Sequence, residues 1–136
     1  IVRLISFLIW PLPRGASSNK IRINMYIGEV AKQTGLSIKA IRLYEERGLI
    51  MAPPRKGNYR FYNDSHVDLL NLIKEAKTLG STLSQLKDVI VYKDGQVDWL
   101  KISIFLQKMK QQLVEEHQSL ADKIKKIEGC ISTIHS

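Results

Sequence analysis

The sequence predicts a mainly α-helical protein: a winged helix-turn-helix head followed by a long C-terminal helix built to pair with another. Three observations predict it. Residues 25–62 carry two short helical patterns joined by a glycine-containing turn, then a basic, aromatic segment. Apolar residues recur every seven positions from Trp99 to Ile134. The excess positive charge of the folded part lies on residues 25–62, while residues 63–136 sum to zero.

The first helix is expected over Ile27 to Thr34, with Ile27, Val30 and Ala31 on one face. Gly35-Leu36 makes the turn. Ser37 suits the N-cap of a second helix because its hydroxyl can accept from a free first-turn N–H. Gly48 closes that helix as the residue type that most easily takes a left-handed conformation. At helical spacing Ala40, Ile41, Leu43 and Tyr44 gather on one side, while Lys39, Arg42 and Glu46 share the other. A basic outer face on the second of two tightly joined helices suits the major groove of duplex DNA. Pro53-Pro54-Arg55-Lys56-Gly57-Asn58 then reads as a basic turn, and Tyr59-Arg60-Phe61-Tyr62 as a short strand. Together they read as a wing beside the helix pair.

Asn63 is expected to cap a helix to about Leu79, with Val67, Leu70, Ile73 and Ala76 at helical spacing and Gly80 as its stop. A further short helix is expected from the Ser81–Lys87 stretch to about Val91. Asp94-Gly95 interrupts the pattern. From about Asp98 one helix is expected to run to near Ile134. Its seam is Trp99, Leu106, Leu113, Leu120, Ile127 and Ile134, with Ile102, Met109, His117, Ile124 and Ile131 between them and one four-residue irregularity near His117. Such a helix is roughly 55 Å long, too long for a small head to cover. A second copy of the chain is the economical partner.

Charge divides unevenly along the 136 residues, whose total is +8. Residues 1–24 hold four basic groups and no acidic one; residues 25–62 hold seven basic and three acidic; residues 63–136 hold ten of each. That asymmetry favours a nucleic-acid surface on the head over a general role in solubility. The single cysteine, Cys130, excludes an intramolecular disulfide framework and fits a reducing cytoplasm. Within residues 1–24 the apolar run Ile1 to Trp10 is too short to span a bilayer as a helix, and Pro11, Pro13 and Gly15 follow it. A signal-peptide core is the competing reading. The expectation is a non-native or disordered extension, with Met25 as the natural start, so that 25–93 forms the head with its linker helices and 94–136 the pairing helix.

The combination of these motifs resembles the DNA-binding domain of the MerR family of bacterial transcription regulators. The matching residues are Ile27-Gly28-Glu29-Val30-Ala31, Gly35-Leu36, Ala40 to Glu45, Gly48-Leu49-Ile50 and Asn58 to Tyr62. They continue through Val67, Leu70, Ile73, Ala76, Leu79-Gly80, Leu83 and Leu86-Lys87. Many relatives read Asn-Gly-Tyr-Arg at the wing, where this chain reads Gly57-Asn58-Tyr59-Arg60. The resemblance implies a homodimer joined by an antiparallel coiled coil through Trp99, Leu106, Leu113, Leu120, Ile124, Ile127 and Ile131. It implies DNA contacts from Lys39, Arg42 and Tyr44 on the recognition helix and from Arg55, Lys56, Tyr59, Arg60 and Tyr62 in the wing. Core packing competes with contact for Tyr44 and Tyr59 and is the favoured role of Phe61.

The implied target is a pseudo-palindromic promoter whose −10 and −35 elements are out of phase. The dimer bends and untwists it, so RNA polymerase is affected only through the promoter. Neither a membrane partner nor a cofactor is expected. Metal-sensing relatives carry cysteines at the start of the dimer helix, where Gln96-Val97-Asp98-Trp99 has none, and Cys130, His117 and His135 lack ligand spacing. No metal site is therefore expected, and no effector domain beyond Ser136. Cys130 reads as a small packed residue, with a redox role as the competing reading, and His66 and His117 as surface and seam residues. An architectural or excisionase-like DNA bender without effector is the alternative, and the long seam argues against it. A coiled-coil interaction protein with an incidental basic face is a third reading. No nucleophile–base set, paired carboxylates or phosphate loop points to an enzyme.

Overall fold

The computed structural model describes residues 25–136; the N-terminal extension expected at 1–24 lies outside them. Helices α1 (Ile27–Thr34) and α2 (Ile38–Glu46) are followed by a hairpin of β1 (Arg55–Lys56) and β2 (Tyr59–Arg60). Helices α3 (Asp64–Thr78) and α4 (Leu83–Val89) come next, then a second hairpin of β3 (Tyr92–Lys93) and β4 (Gln96–Val97), then α5 (Trp99–His135).

Local chemistry explains most of the boundaries. Ser37 Oγ accepts from the Ala40 N–H at 3.0 Å and so starts α2. At its other end Gly48 takes φ +77°. The Leu49 N–H then reaches back to the Tyr44 carbonyl at 2.9 Å and the Gly48 N–H to that of Glu45 at 3.0 Å. This is a Schellman closure, and Gly80 repeats it after α3 through Ser81 N–H to Ala76 O at 3.0 Å. Reciprocal capping boxes open α3 and α4: Asn63 with His66, and Thr82 with Gln85. Asp98 Oδ1 accepts from the Lys101 N–H at 3.3 Å and starts α5. That bond, with Lys93 Nζ 3.4 Å away, holds the Asp98 carboxyl below its usual range.

The two hairpins use different turns. Gly57 has φ +62° and Asn58 a negative φ, the signs of a type II′ turn with glycine first. Asp94 and Gly95 both have positive φ, 52° and 77°, the signs of type I′. The wing's Gly-Asn order is thus the one its own turn requires. The second hairpin corrects the expectation at Asp94-Gly95: the dipeptide does not merely interrupt a helical run, it reverses the chain between two paired strands. The helix expected to reach Val91 ends at Val89 for the same reason.

One core holds the head together, including Met25, Val30, Ile41, Tyr44, Tyr62 and Ile73. Met25 and Tyr62 pair as an isolated antiparallel bridge, with reciprocal bonds of 2.9 and 2.8 Å, so the residue before α1 is tied to the end of the wing. Ile102, at 2% exposure, carries the core into the first turns of α5. The Tyr92 hydroxyl accepts from the Met51 N–H at 3.1 Å, bridging the second hairpin to the segment between α2 and the wing. Beyond Met109 the side of α5 that carries the seam is open: Leu113, Leu120, Ile124, Ile127 and Ile131 are 49–59% exposed. No helix among the described residues is long and apolar enough to cross a membrane.

His66 gives the fold a pH dependence. Its Nδ1 accepts from the Asn63 N–H at 3.1 Å, so the cap needs a neutral ring there. Burial lowers its pKa, outweighing a hydrogen bond to the Met51 main chain and the Glu45 carboxylate. The folded state therefore binds the proton less readily than the unfolded chain, and stability falls as pH drops through the ordinary histidine value of 6.5. Thermal melts from pH 8 to 5 should show Tm falling below about pH 6.5, with a smaller fall in His66→Gln, which keeps an acceptor at this position.

Candidate nucleic-acid interface

Burial of one face of α2 decides which residues it offers. Ile41 and Tyr44 pack inward at 0% and 4% exposure, so Lys39, Arg42 and Glu46 face solvent. The wing stands beside this face. Between them lies an open cleft of about 1200 Å³, lined by Arg42, Arg55, Asn58, Tyr59 and Arg60 among others. Lys39 and Lys56 are exposed but do not line it. Four of the eight expected contact residues thus come together in one concave, cation-rich surface.

Arg60 also has a structural role. Its Nη1 donates to Glu45 Oε2 at 2.6 Å, with side-chain exposures of 29% and 10%. This ion pair ties β2 to α2 and so holds the wing against that helix. Glu45 also lines the cleft, and its charge is balanced by the same contact; Arg42, Arg55 and the carboxylate of Glu46 are the other charged groups of the lining.

Two expected contacts are corrected. Tyr44 is buried in the core with Lys77 Nζ 5.8 Å from its ring centre, and Tyr62 is fully buried. Neither ring has a surface to present. Burial pushes the Tyr62 hydroxyl pKa up, and the Glu45 carboxylate adds to the rise. Their aromatic character signalled packing on the inner face of α2 and at the end of β2. Tyr59, by contrast, is 64% exposed. Phe61 is only half-buried and packs at 5.2 Å between ring centres on Tyr26, which also meets Tyr59 edge-on at 5.6 Å.

Tyr26 is a residue that the sequence reading missed. It is 54% exposed and lines the cleft with Ile27. It also sits at the N-cap of α1, which has no side-chain cap, so leading N–H groups of that helix are left for an outside acceptor. The Met25–Tyr62 bridge brings Tyr26 beside the wing, and that pairing has no signature in the local sequence.

Of the expected pairing residues, Trp99 and Leu106 pack partly against the head's own core, while the remaining five are open. Cys130 is exposed on a single copy. Among the described residues no group of three or more His, Cys, Asp or Glu is placed to hold a metal ion.

The family model described as MerR HTH family regulatory protein matches residues 25–93. The HTH-type transcriptional regulator CueR of Yersinia pestis is 43% identical over 67 residues, covering 48% of this chain and 48% of that protein. CueR of Vibrio cholerae serotype O1 (strain ATCC 39541) is 37% identical over 107 residues, covering 67% of this chain and 77% of that protein. The matched segment spans about half the length of the Yersinia relative. Among solved structures, HiNmlR, a MerR family regulator lacking the sensor domain and bound to promoter DNA, superposes with a TM-score of 0.56. The match covers 80% of this chain and 88% of that one at 19% identity, and it establishes the shared fold.

Removing one partner of the Arg60–Glu45 pair should be felt as stability. Glu45→Ala should lower the unfolding free energy by about 2 kcal/mol, because a partly buried charge-assisted hydrogen bond is lost. Urea titration followed by far-ultraviolet circular dichroism reads this directly, and an unchanged midpoint would show the pair to be incidental.

Proposed function

The chain belongs to the MerR family of HTH regulatory proteins, and from that membership we propose that it is a homodimeric, DNA-binding transcription regulator of the cytoplasm. The observation that carries the reading is the cleft between α2 and the wing. Lys39 and Arg42 stand on the outer face of a helix narrow enough for a major groove. Arg55, Lys56 and Tyr59 stand on a hairpin positioned to follow the adjacent backbone. The uncapped start of α1, with Gly28 exposed and no side chain to block approach, supplies N–H donors suited to a phosphate. Promoter DNA is the ligand named for HiNmlR, a chain of the same fold.

Dimerisation is supported by α5. Five large apolar side chains on a helix of 37 residues are half-exposed along one stripe, and a second copy is the partner that covers them with identical chemistry. Twofold symmetry then calls for a pseudo-palindromic site. Regulation acts through deformation of the promoter: bending and untwisting cost several kcal/mol, which the phosphate contacts offset. RNA polymerase responds to the reshaped promoter without touching this chain. No effector is assigned.

Electrophoretic mobility shifts on a twofold-symmetric promoter fragment test this. Arg42→Ala should weaken binding by about tenfold to a hundredfold, since a groove-facing contact is worth on the order of 1–3 kcal/mol. Tyr62→Phe should leave affinity unchanged because its ring is core. The logarithm of the binding constant should fall steeply with that of salt concentration. A flat salt response, or equal affinity for Arg42→Ala, would remove the reading.

A further inference from the structure

Resting on the dimer reading above, with its antiparallel pairing, we infer that two charge pairs, Glu116 with Lys123 and Lys110 with Glu128, fix the register in which a second copy docks on α5.

The positions of these four residues carry the argument. Glu116 immediately precedes the seam residue His117, and Lys123 immediately precedes Ile124. Being seven residues apart, they lie on the same flank of the seam. Lys110 follows Met109 and Glu128 follows Ile127, which places this second pair on the opposite flank. In an antiparallel twofold pair each flank meets the same flank of the partner; in a parallel pair opposite flanks meet. Antiparallel docking therefore sets Glu116 against Lys123 of the partner subunit and Lys110 against Glu128 of the partner subunit. Symmetry makes four pairs. Parallel docking sets Glu116 against the uncharged Ala121 of the partner subunit and leaves only Lys123 with Glu128.

The register follows from midpoints, because residues that meet across a twofold axis lie at equal distances from it. The axis of the Glu116–Lys123 pair falls at position 119.5, and that of the Lys110–Glu128 pair at 119. The seam agrees independently. Pairing His117 with Leu120, Leu113 with Ile124 and Leu106 with Ile131 places each midpoint at 118.5. Apolar layers and both flanks thus converge within one residue on a single axis.

The charges are available for this use. Glu116, Lys110 and Lys123 have no opposite charge three or four positions away on their own helix, the spacing at which helical ion pairs form. All are exposed on the single copy. The neighbouring carboxylates are partly occupied: Gln111 donates to Glu115 at 3.3 Å and Gln118 to Asp122 at 3.1 Å.

Charge reversal on the full chain, read as the dimer dissociation constant by analytical ultracentrifugation, tests the inference. Glu116→Lys and Lys123→Glu should each weaken the dimer by about tenfold, since two attractions become two repulsions. The double variant should return to the wild-type value. An equimolar mixture of the two single variants should form a heterodimer as tight as wild type, because both of its cross-pairs are then opposite in sign. That rescue separates a charge contact from damage to the helix. A dimer indifferent to Glu116→Lys, or weakened by Lys123→Glu without rescue, would overturn the register while leaving the dimer itself standing. A wild-type chain that sediments as one copy would instead overturn the dimer reading, and the register with it.

Discussion

The inward packing of Ile41 and Tyr44 is the commitment on which the outer surface of the head depends. A helix of nine residues has one face to bury, and these two side chains choose it. Tyr62 meets them from the end of the wing and Met25 from the start of the chain's described part, so three separate segments converge on one apolar centre. A buried tyrosine removes about 150–250 Å² from water, more than the aliphatic side chains around it. With the inner face held so firmly, Lys39 and Arg42 are driven outward. Arg60 then locks the wing to the same helix through Glu45. Cleft shape and cleft charge are therefore set by the packing behind it together with one ion pair in its lining.

The second constraint lies at the other end. Half-exposed leucines and isoleucines along α5 cannot be covered by a head that reaches only its first turns, where Ile102, Trp99 and Leu106 are already engaged. An isolated helix so apolar on one stripe is a surface waiting for a matching one. The head and the first turns of α5 share one core through Ile102, while the stripe beyond Met109 is left outside it.

Much of this was legible in the sequence because it rests on local chemistry. Ser37, Asn63, Gly48 and Gly80 act within five residues of themselves, through caps and Schellman closures, and the boundaries of α2 and α3 follow from them. The seam was legible because a seven-residue repeat is a property of the helix alone. What was not legible depends on distant pairing. Tyr44 and Tyr62 were expected at the DNA face because aromatic side chains serve equally in a core and on a contact surface, and spacing alone does not choose. Tyr26 joins the cleft through the bridge to Tyr62. Asp94-Gly95 did carry a hairpin signal, since both residues of a type I′ turn need positive φ, but the strands on either side are two residues long and gave no alternation to read.

That short hairpin has a mechanical consequence. It leads into a rod roughly 55 Å long, and any angle at the base of a rod is magnified by its length. One degree of rotation at Asp98 sweeps the far tip through about 1 Å. The Tyr92 hydroxyl accepting from the Met51 amide at 3.1 Å ties the base of that rod to the head, beside the core packing of Ile102. Sub-ångström slack at that clasp becomes ångström-scale displacement of the helix tip near Ser136.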